Sequence, residues 1–369
     1  MSTSTTDAVY PRPVLGQMPP YAAGKPPAVI EGLTAYKLSS NENPFGPVPA
    51  VVDVIRRYAE SGQTCRYPET TCSALRGRIG ETFGVEPDDV VAGAGSLGAL
   101  MQIISTFAGA GEDGQKDEVI FAWRSFEAYP IVVRAAGAQD VQVPLTADHR
   151  HDLKAMTAAI TDRTRVILLC TPNNPTGPSL STAEVEGFLA TVPPHIMVVI
   201  DEAYIEFNRA SDAVDGVDVY RRYPNVVVLR TFSKAHGLAN LRVGYSISRP
   251  EITQYLRVMA TPFAVSSLAE QAAMASLDHL DEVQERVQRV VDERERVVAS
   301  LRELGFEVPQ SEGNFFWLPL GERTPELVDT AGSQALSVRG FGTEGARVSV
   351  GEVEANDRLL RMMSEFGVR

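Results

Sequence analysis

Residues 229–245 read LRTFSKAHGLANLRVGY and join an apolar, β-rich run to a loop of small and polar residues. The loop carries Lys234, and a lysine just past the end of a strand is well placed to form a Schiff base with an aldehyde cofactor. The hydroxyls of Thr231 and Ser233 and the guanidinium of Arg242 could bind a phosphate. Taken alone, this segment is better explained by a surface lysine in a loop, so its meaning depends on the segments around it.

Apolar runs of strand length recur through the middle of the chain. They do not alternate with polar residues, so both faces of each strand should be buried, as in a mostly parallel sheet covered by helices. The predicted strands are 118–122, 141–145, 166–170, 197–200, 226–229 and 243–247. Helical patterns lie between several of them, at 51–61, 98–108 and 182–190. In such sheets, ligands bind beyond the carboxyl ends of the strands.

The pattern changes after residue 266. Residues 266–304 predict one long helix or two joined helices ending at Gly305. Short strands are predicted at 306–308, 315–318 and 347–350, and a helix at 356–366. Frequent prolines in residues 1–30 predict an extended arm or lid. We therefore expect three parts: an arm with part of a small domain (1–45), a large domain (46–265) and a small α+β domain (266–369).

Residues 198–204 (VVIDEAY) place Asp201 at the end of a buried strand. An unpaired buried carboxylate is costly, so a cation is expected beside it. A protonated pyridine nitrogen would serve, and the carboxylate would then keep the ring protonated as an electron sink. Tyr204 could donate to an oxygen on the same ring. A helix-capping aspartate beside a core tyrosine remains an alternative.

Two further turns follow strands in the expected order. Residues 169–177 (LCTPNNPTG) hold adjacent asparagines in a turn made rigid by prolines, which suits fixed side-chain hydrogen bonds or turn formation alone. Residues 91–100 (VAGAGSLGAL) form a glycine-rich turn that opens a helical pattern, and amides at a helix N-terminus attract phosphate. All four segments could therefore meet at one edge of the sheet.

In this order, the four segments resemble the fold-type I pyridoxal-phosphate aminotransferases, within them the histidinol-phosphate aminotransferase branch, and most closely its aromatic amino acid (phenylalanine) aminotransferases. Further matching stretches are residues 41–47 (NENPFGP), 66–68 (RYP) and 347–351 (RVSVG). The resemblance covers nearly the whole chain. It implies an α/β fold like that of aspartate aminotransferase, in which helices sandwich a mostly parallel sheet in the large, cofactor-binding domain, beside a smaller α+β domain.

The resemblance also implies roles for the residues around the cofactor. Lys234 would form the internal aldimine and later shuttle a proton, and Asp201 would pair with the pyridine nitrogen. Asn174 and Tyr204 would contact the phenolic ring oxygen. The phosphate would be held by Gly95, Ser96, Thr231, Ser233 and Arg242.

Aromatic residues would complete that site. Phe126 would stack on the cofactor ring, although Trp123 and Tyr129 are alternatives for this position. Tyr67 would reach the cofactor phosphate of a neighbouring subunit, which implies a homodimer with shared active sites. For each aromatic residue, packing in the core is the simpler alternative.

On the substrate side, Arg347 would clamp the substrate carboxylate, and Tyr21 and Asn43 would line the pocket. Arg339 lies where relatives that use histidinol phosphate place a phosphate-binding arginine. However, residues 93–98 (GAGSLG) lack the acidic residue that many histidinol-phosphate enzymes carry there. Residues 122–129 (AWRSFEAY) look more like the aromatic amino acid aminotransferases.

These features favour a ping-pong transamination from phenylalanine, tyrosine or tryptophan to 2-oxoglutarate. The alternatives are histidinol-phosphate aminotransferase, which is the same chemistry in histidine biosynthesis, and a decarboxylase of a phosphorylated amino acid. A third alternative, of a different class, is a non-catalytic cofactor-binding or regulatory protein.

Composition limits the remaining classes of function. The net charge of −13 argues against nucleic acid or an anionic membrane as the main partner. Three cysteines without metal-binding spacing predict free thiols, and the polar N-terminus lacks a secretion signal, so a cytoplasmic location is expected. His149 and His151 are interpreted as surface residues rather than a metal pair, and His236 as a neutral residue near Lys234 rather than the general base.

Overall fold

The computed structural model of the protein describes residues 12–111 and 113–368. The strands are β1 (Tyr36–Lys37), β2 (Val90–Gly93), β3 (Glu118–Trp123), β4 (Gln139–Pro144), β5 (Thr164–Cys170), β6 (Met197–Asp201), β7 (Val226–Thr231), β8 (Gly244–Ile247), β9 (Phe315–Leu318), β10 (Leu336–Ser337), β11 (Arg339–Phe341) and β12 (Gly345–Ser349).

The α-helices are α1 (Pro49–Glu60), α2 (Ser73–Phe83), α3 (Gly95–Phe107), α4 (Ala128–Ala136), α5 (Leu153–Ala158), α6 (Thr182–Leu189), α7 (Gly216–Arg222), α8 (Pro250–Val258), α9 (Ser267–Leu277), α10 (Leu280–Glu303), α11 (Thr324–Ser333) and α12 (Val353–Phe366). Short 3₁₀ helices lie at Pro13–Gln17, Gln63–Cys65, Pro87–Asp89, Ile205–Phe207, Ala239–Leu241 and Gly321–Arg323. No helix among the described residues is both long enough and apolar enough to cross a bilayer.

The main sheet has the strand order β2-β8-β7-β6-β5-β3-β4 within the described residues. Strands β7, β6, β5, β3 and β4 run parallel, whereas β8 is antiparallel to both of its neighbours. The mostly parallel sheet and its six predicted strands are confirmed. The sequence did not indicate the reversed direction of β8, and it gave no bounds for β2, the strand before the glycine-rich turn.

Helices cover both faces of the main sheet, as the uninterrupted apolar runs predict. Along β6, Val198 and Ile200 pack into one hydrophobic cluster and Val199 packs into another, because successive side chains of a strand point to opposite faces. The first cluster includes residues of α2, α6, α7 and α9, and the second includes residues of α3, α4 and α8.

A second sheet, with the order β11-β12-β9, is antiparallel. Nearby, β1 pairs in parallel with β10, so a segment from the start of the chain packs against its last third. The predicted stretch 266–304 is two joined helices, α9 and α10. Ser266 caps α9 by accepting a hydrogen bond from the Ala269 amide (3.1 Å), and Gly305, with φ of +91°, follows the end of α10.

The strand predicted at residues 306–308 is wrong. This segment is irregular, although Phe306 and Val308 are buried in the core. The Arg302 side chain donates two hydrogen bonds to the Val308 carbonyl, at 3.1 and 2.7 Å. A side chain, rather than a neighbouring strand, therefore satisfies this backbone group, and the apolar residues are buried without belonging to a sheet.

Candidate active site

Four loops converge at the edge of the main sheet where β2, β5, β6 and β7 end. Strands β2 and β7 flank the reversed strand β8 and therefore end on the same side, beside the beginning of β8 at Gly244. The glycine-rich turn, the asparagine-rich turn, Asp201 and Lys234 lie at or shortly after these four ends. The topology thus brings together the four segments that the sequence singled out.

Lys234 lies three residues beyond β7 and is partly buried. Its Nζ donates a hydrogen bond to the Ser40 carbonyl (3.2 Å) and lies 5.6 Å from the centre of the Tyr204 ring. Loss of hydration, followed by the positive charge of Arg347, lowers the pKa of Lys234 to about 7. Near neutral pH, a large fraction of this amine is therefore uncharged and nucleophilic.

Asp201 is the last residue of β6 and is 5 % exposed. Burial raises the pKa of its carboxyl to about 6, while hydrogen bonds from the Tyr129 hydroxyl (2.7 Å) and the Ala203 amide (3.3 Å) act in the opposite direction. Asp201 does not cap a helix, since the next helical turn begins at Ile205 after Tyr204. The site therefore presents a buried carboxylate that a cation would stabilise.

A cradle for an anion lies between the start of α3 and the loop after β7. Gly95 has φ of +73°, and a side chain there would come within 2.5 Å of Arg242 Nη2. The Thr231 hydroxyl donates to Ser233 Oγ (3.0 Å), and Arg242 Nη1 lies 3.5 Å from the same oxygen. Backbone amides at the helix N-terminus, two hydroxyls and a guanidinium thus surround a space that suits a phosphate.

A second group of hydrogen bonds links β12 to the turn after β5 and to the segment after β1. Arg347 Nη1 donates to Asn174 Oδ1 and Nη2 donates to the Ser39 carbonyl, both at 2.6 Å. Arg347 Nε is buried and has no hydrogen-bond partner among the described residues. Burial is the main cause that lowers the pKa of Arg347. The guanidinium is thus held in place by neutral oxygens, which leave its positive charge for a ligand.

Two adjoining cavities occupy this region. The inner cavity, of about 260 Å³, is lined by Asp201, Thr231, Ser233, Ser96 and Arg242, among others. The outer cavity, of about 120 Å³, is lined by Glu127, Arg339, Phe341 and Arg347, among others. Both cavities are lined by Tyr21, Ser40, Phe126, Asn174, Tyr204 and Lys234. A ligand that spans them would therefore pass Lys234.

Of the three aromatic residues considered for stacking, Phe126 lines both cavities. Tyr129 lies behind Phe126, edge to face with a centroid distance of 5.6 Å, and its hydroxyl is used by Asp201. Trp123 lines a separate hollow beneath the arm residues Met18–Ala22. Of the three, Phe126 therefore borders the two cavities, and Tyr129 and Trp123 do not.

Three expected site residues have other surroundings. Arg339 lines the outer cavity but forms an ion pair with Glu127 at 2.8 Å. Asn43 does not line either cavity, because its side chain donates to the Ala235 carbonyl (2.9 Å) and accepts from the Phe45 amide (2.9 Å). Tyr67 is 83 % exposed and stacks on Phe263, away from both cavities of its own chain.

The surface location expected for His151 is wrong. His151 is 7 % exposed, and its Nε2 lies 3.2 Å from Asn173 Oδ1. Burial lowers the pKa of His151 to about 4. Burial likewise lowers the pKa of His236 to about 4, and its Nδ1 lies 2.7 Å from Ser276 Oγ. Both rings are packed into the fold, where burial favours their neutral form.

Several residues that hold the site residues in place were not assigned that role from the sequence. Asn41 donates from Nδ2 to the Tyr204 hydroxyl (3.0 Å) and accepts from Ser349 Oγ (3.0 Å). Tyr129 holds Asp201, and Glu127 pairs with Arg339. Asn41 belongs to the quoted NENPFGP stretch, which was the available signal. The partners of Tyr129 and Glu127 lie far away along the chain, and no local pattern reveals them.

Comparison with known proteins agrees with this geometry. Residues 34–363 match the family model for aminotransferase class I and II. The chain belongs to this family. It is 50 % identical over 355 residues to the aromatic amino acid aminotransferase of Streptomyces avermitilis, covering 96 % of this chain and 97 % of that protein. The aromatic amino acid aminotransferase of Streptomyces coelicolor is equally similar, with 50 % identity and the same coverage.

Solved structures extend the comparison to the fold of this aminotransferase. The histidinol-phosphate aminotransferase of Sinorhizobium meliloti, solved in complex with pyridoxal-5′-phosphate, has a TM-score of 0.86 and 26 % identity and covers 98 % of both chains. An aspartate aminotransferase from Thermotoga maritima has a TM-score of 0.81 at 22 % identity, covering 91 % of this chain and 92 % of that one, and so reports on the fold alone. The expected fold resembling aspartate aminotransferase is confirmed.

Proposed function

We propose that this aminotransferase uses pyridoxal 5′-phosphate to transfer the amino group of phenylalanine, tyrosine or tryptophan to 2-oxoglutarate. The observation that carries the proposal is that one cavity is lined by a lysine of lowered pKa, a buried carboxylate and an anion cradle. These groups match the aldehyde, the pyridine nitrogen and the phosphate of that cofactor. When bound, the cofactor supplies an electron sink.

The residues of the inner cavity fit the cofactor in both charge and shape. Asp201 would pair with the pyridine nitrogen, which would compensate its buried charge. Asn174 and Tyr204 would contact the ring oxygen, and Phe126 would cover the ring. The phosphate would be held by Gly95, Ser96, Thr231, Ser233 and Arg242, since the missing side chain at Gly95 leaves the space that an anion needs beside Arg242.

Lys234 would both bind the cofactor and move the proton. Its lowered pKa provides a neutral amine near pH 7, and the same Nζ can take the proton from the substrate Cα. Arg347 would hold the substrate carboxylate through its fork of donors, since Asn174 and Ser39 orient the guanidinium without neutralising it. This anchoring would aim the Cα proton at Lys234.

The substrate class is inferred from the lining of the outer cavity and from the relatives. Tyr21, Phe126 and Phe341 line this cavity, and aromatic edges of this kind favour an aromatic side chain. Relatives at 50 % identity are named aromatic amino acid aminotransferases. Histidinol phosphate is the second candidate, because Arg339 also lines this cavity and could bind a phosphate.

The two candidates are separated by kcat/KM. The purified holoenzyme is assayed with phenylalanine, tyrosine, tryptophan and histidinol phosphate, each with 2-oxoglutarate as acceptor. We expect kcat/KM to be higher for the three aromatic amino acids than for histidinol phosphate. A higher value for histidinol phosphate would contradict the substrate assignment while leaving the aminotransferase chemistry intact.

We also propose that two chains form a homodimer in which Tyr67 reaches the cofactor phosphate of the neighbouring subunit. In support, Tyr67 and Phe263 form an exposed aromatic pair with a centroid distance of 4.6 Å, and Val258 and Met259 are exposed nearby in the sequence. Light scattering should give the mass of two chains, and the mass of one chain would contradict the proposal. We further propose that the chain divides into three parts at residues 45 and 265, and that the protein is located in the cytoplasm.

A further inference from the structure

Two arginines face each other across adjacent strands at the outer cavity. Arg339 in β11 is the direct partner of Arg347 in β12, and both line the cavity. Like charges directly opposite each other on paired strands repel. The two positive charges have different partners. Arg347 donates hydrogen bonds to neutral oxygens, whereas Arg339 forms an ion pair with the Glu127 carboxylate at 2.8 Å.

The ion pair lies at the border between cavity and solvent. The side chain of Arg339 is 14 % exposed and that of Glu127 is 26 % exposed. Phe341 lies beside it, with the guanidinium carbon of Arg339 5.4 Å from the ring centre. An aromatic substrate that points from Arg347 towards Phe341 would therefore rest against a neutral pair rather than a bare cation.

The two substrates of the proposed reaction need different groups beside Arg339 in the outer cavity. The amino donor presents an uncharged ring, whereas 2-oxoglutarate presents a second carboxylate. A guanidinium that is covered by an aromatic ring and lacks an anionic partner loses hydration, and its attraction to the ring offsets only part of that cost. A carboxylate, in contrast, needs this guanidinium as its partner. A carboxylate that can leave Arg339 satisfies both substrates in turn.

We propose that Glu127 is a specificity-determining residue that covers Arg339 beneath an aromatic side chain and releases it to the second carboxylate of the oxo acid. This inference rests on the proposed function. Glu127 precedes α4 directly, so its backbone is held by the helix while its partly exposed carboxylate can rotate towards water. Releasing Arg339 has a cost, so Glu127 weakens the binding of every anionic side chain, including a phosphate, relative to an aromatic one.

A neighbouring ion pair supplies a matched control. Arg124 binds Glu344 through Nε (2.9 Å) and Nη2 (2.6 Å), and its guanidinium carbon lies 5.6 Å from the centre of the same Phe341 ring. Neither Arg124 nor Glu344 lines the outer cavity. Glu344→Gln thus removes a negative charge from a second ion pair beside the Phe341 ring, and neither member of that pair lines the outer cavity.

The experiment compares the wild-type, Glu127→Gln and Glu344→Gln holoenzymes. Dissociation constants are measured by calorimetry for two unreactive ligands, glutarate and 3-phenylpropionate. Values of kcat/KM are measured for phenylalanine and histidinol phosphate. We expect Glu127→Gln to shift both ratios, anionic over aromatic, upwards by about three- to fivefold, the effect of removing a partly exposed ion pair. Glu344→Gln should leave both ratios at the wild-type values.

Further variants separate the effect of the lost charge from an effect on folding. Glu127→Asp keeps the charge and should keep a ratio closer to that of the wild type than to that of Glu127→Gln. Thermal melting checks each fold, and Glu127→Ala replaces the Gln variant if that variant does not fold.

Two results would overturn the role of Glu127: ratios in Glu127→Gln within about twofold of the wild type, or an equal shift in Glu344→Gln. If the wild type transaminates aromatic amino acids, either result leaves the proposed function intact. A wild type without that activity would overturn both the proposed function and this inference.

Discussion

The inner and outer cavities adjoin each other but are built in different ways. The inner cavity draws Asp201, Thr231 and Lys234 from consecutive strand ends of one sheet. The outer cavity combines partners that are distant along the chain. Glu127 and Arg339 are 212 positions apart, and Ser39 and Arg347 are 308 apart.

This difference suggests that the inner cavity serves the cofactor chemistry and that the outer cavity selects the substrate. Strand ends of a parallel sheet hold side chains in fixed relative positions, as cofactor chemistry requires. Residues that line only the outer cavity, such as Glu127 and Arg339, can vary without disturbing that frame. Changes in the inner cavity should therefore affect every substrate equally, whereas changes in the outer cavity should alter the ratio between substrates.

The largest effect is expected for Lys234→Ala. This variant loses both the amine that binds the cofactor and the base that moves the proton, so kcat should fall about 10³-fold or more for every amino donor. Steady-state assays with phenylalanine and histidinol phosphate measure it. Lys154→Ala, on the exposed face of α5, serves as the control and should retain full activity. A kcat of Lys234→Ala equal to that of the wild type would contradict the role of Lys234 in cofactor binding and proton transfer.

A smaller loss is expected for Arg347→Lys, which lines the outer cavity but would bind the carboxylate that all of the substrates share. The ammonium keeps the charge but not the fork, so kcat/KM should fall about 10- to 100-fold for amino and oxo acids alike. The matched control is Arg296→Lys, an exposed residue of α10. A loss confined to one substrate would show that Arg347 recognises the side chain rather than the shared carboxylate.

An effect of about tenfold is expected for Tyr129→Phe, which removes one hydrogen bond to Asp201. The pKa of the Asp201 carboxyl should then rise above its present value of about 6, since that hydrogen bond favours the charged form. Asp201 would hold a protonated ring less firmly, so the dissociation constant of the cofactor should rise and kcat should fall equally for all substrates. Tyr255→Phe, on an exposed face of α8, is the control. Unchanged cofactor affinity would exclude this positioning role.

The smallest effect concerns pH. Only the neutral amine of Lys234 attacks an aldehyde, so covalent attachment of the cofactor to the apoenzyme should accelerate as pH rises. With the pKa of Lys234 near 7, the rate should rise about fivefold from pH 6 to pH 7 and about twofold from pH 7 to pH 8. Stopped-flow absorbance measures the rate. A continued tenfold rise per pH unit would indicate an ordinary lysine, with a pKa near 10.5.

The two cavities also differ in how far sequence alone predicts them. The strands around Asp201 and Lys234 were predictable because apolar runs and strand-end motifs are local signals. The ion pair of Glu127 with Arg339 was not, because its partners meet only when the second sheet packs against the main one. Likewise, His151 lies in a polar stretch, and its contact with Asn173, 22 positions away, is not visible in that stretch. Residues 306–308 looked like a strand because burial and strand pairing produce the same apolar pattern.

The most direct test of the central claim is to locate the cofactor covalently. The chain has five lysines, so borohydride reduction of the wild-type holoenzyme followed by peptide mass spectrometry can identify the modified one without ambiguity. We predict a single cofactor-modified peptide, carrying the modification on Lys234. Modification of Lys25, Lys37, Lys116 or Lys154 instead, or no fixed cofactor at all, would contradict the account.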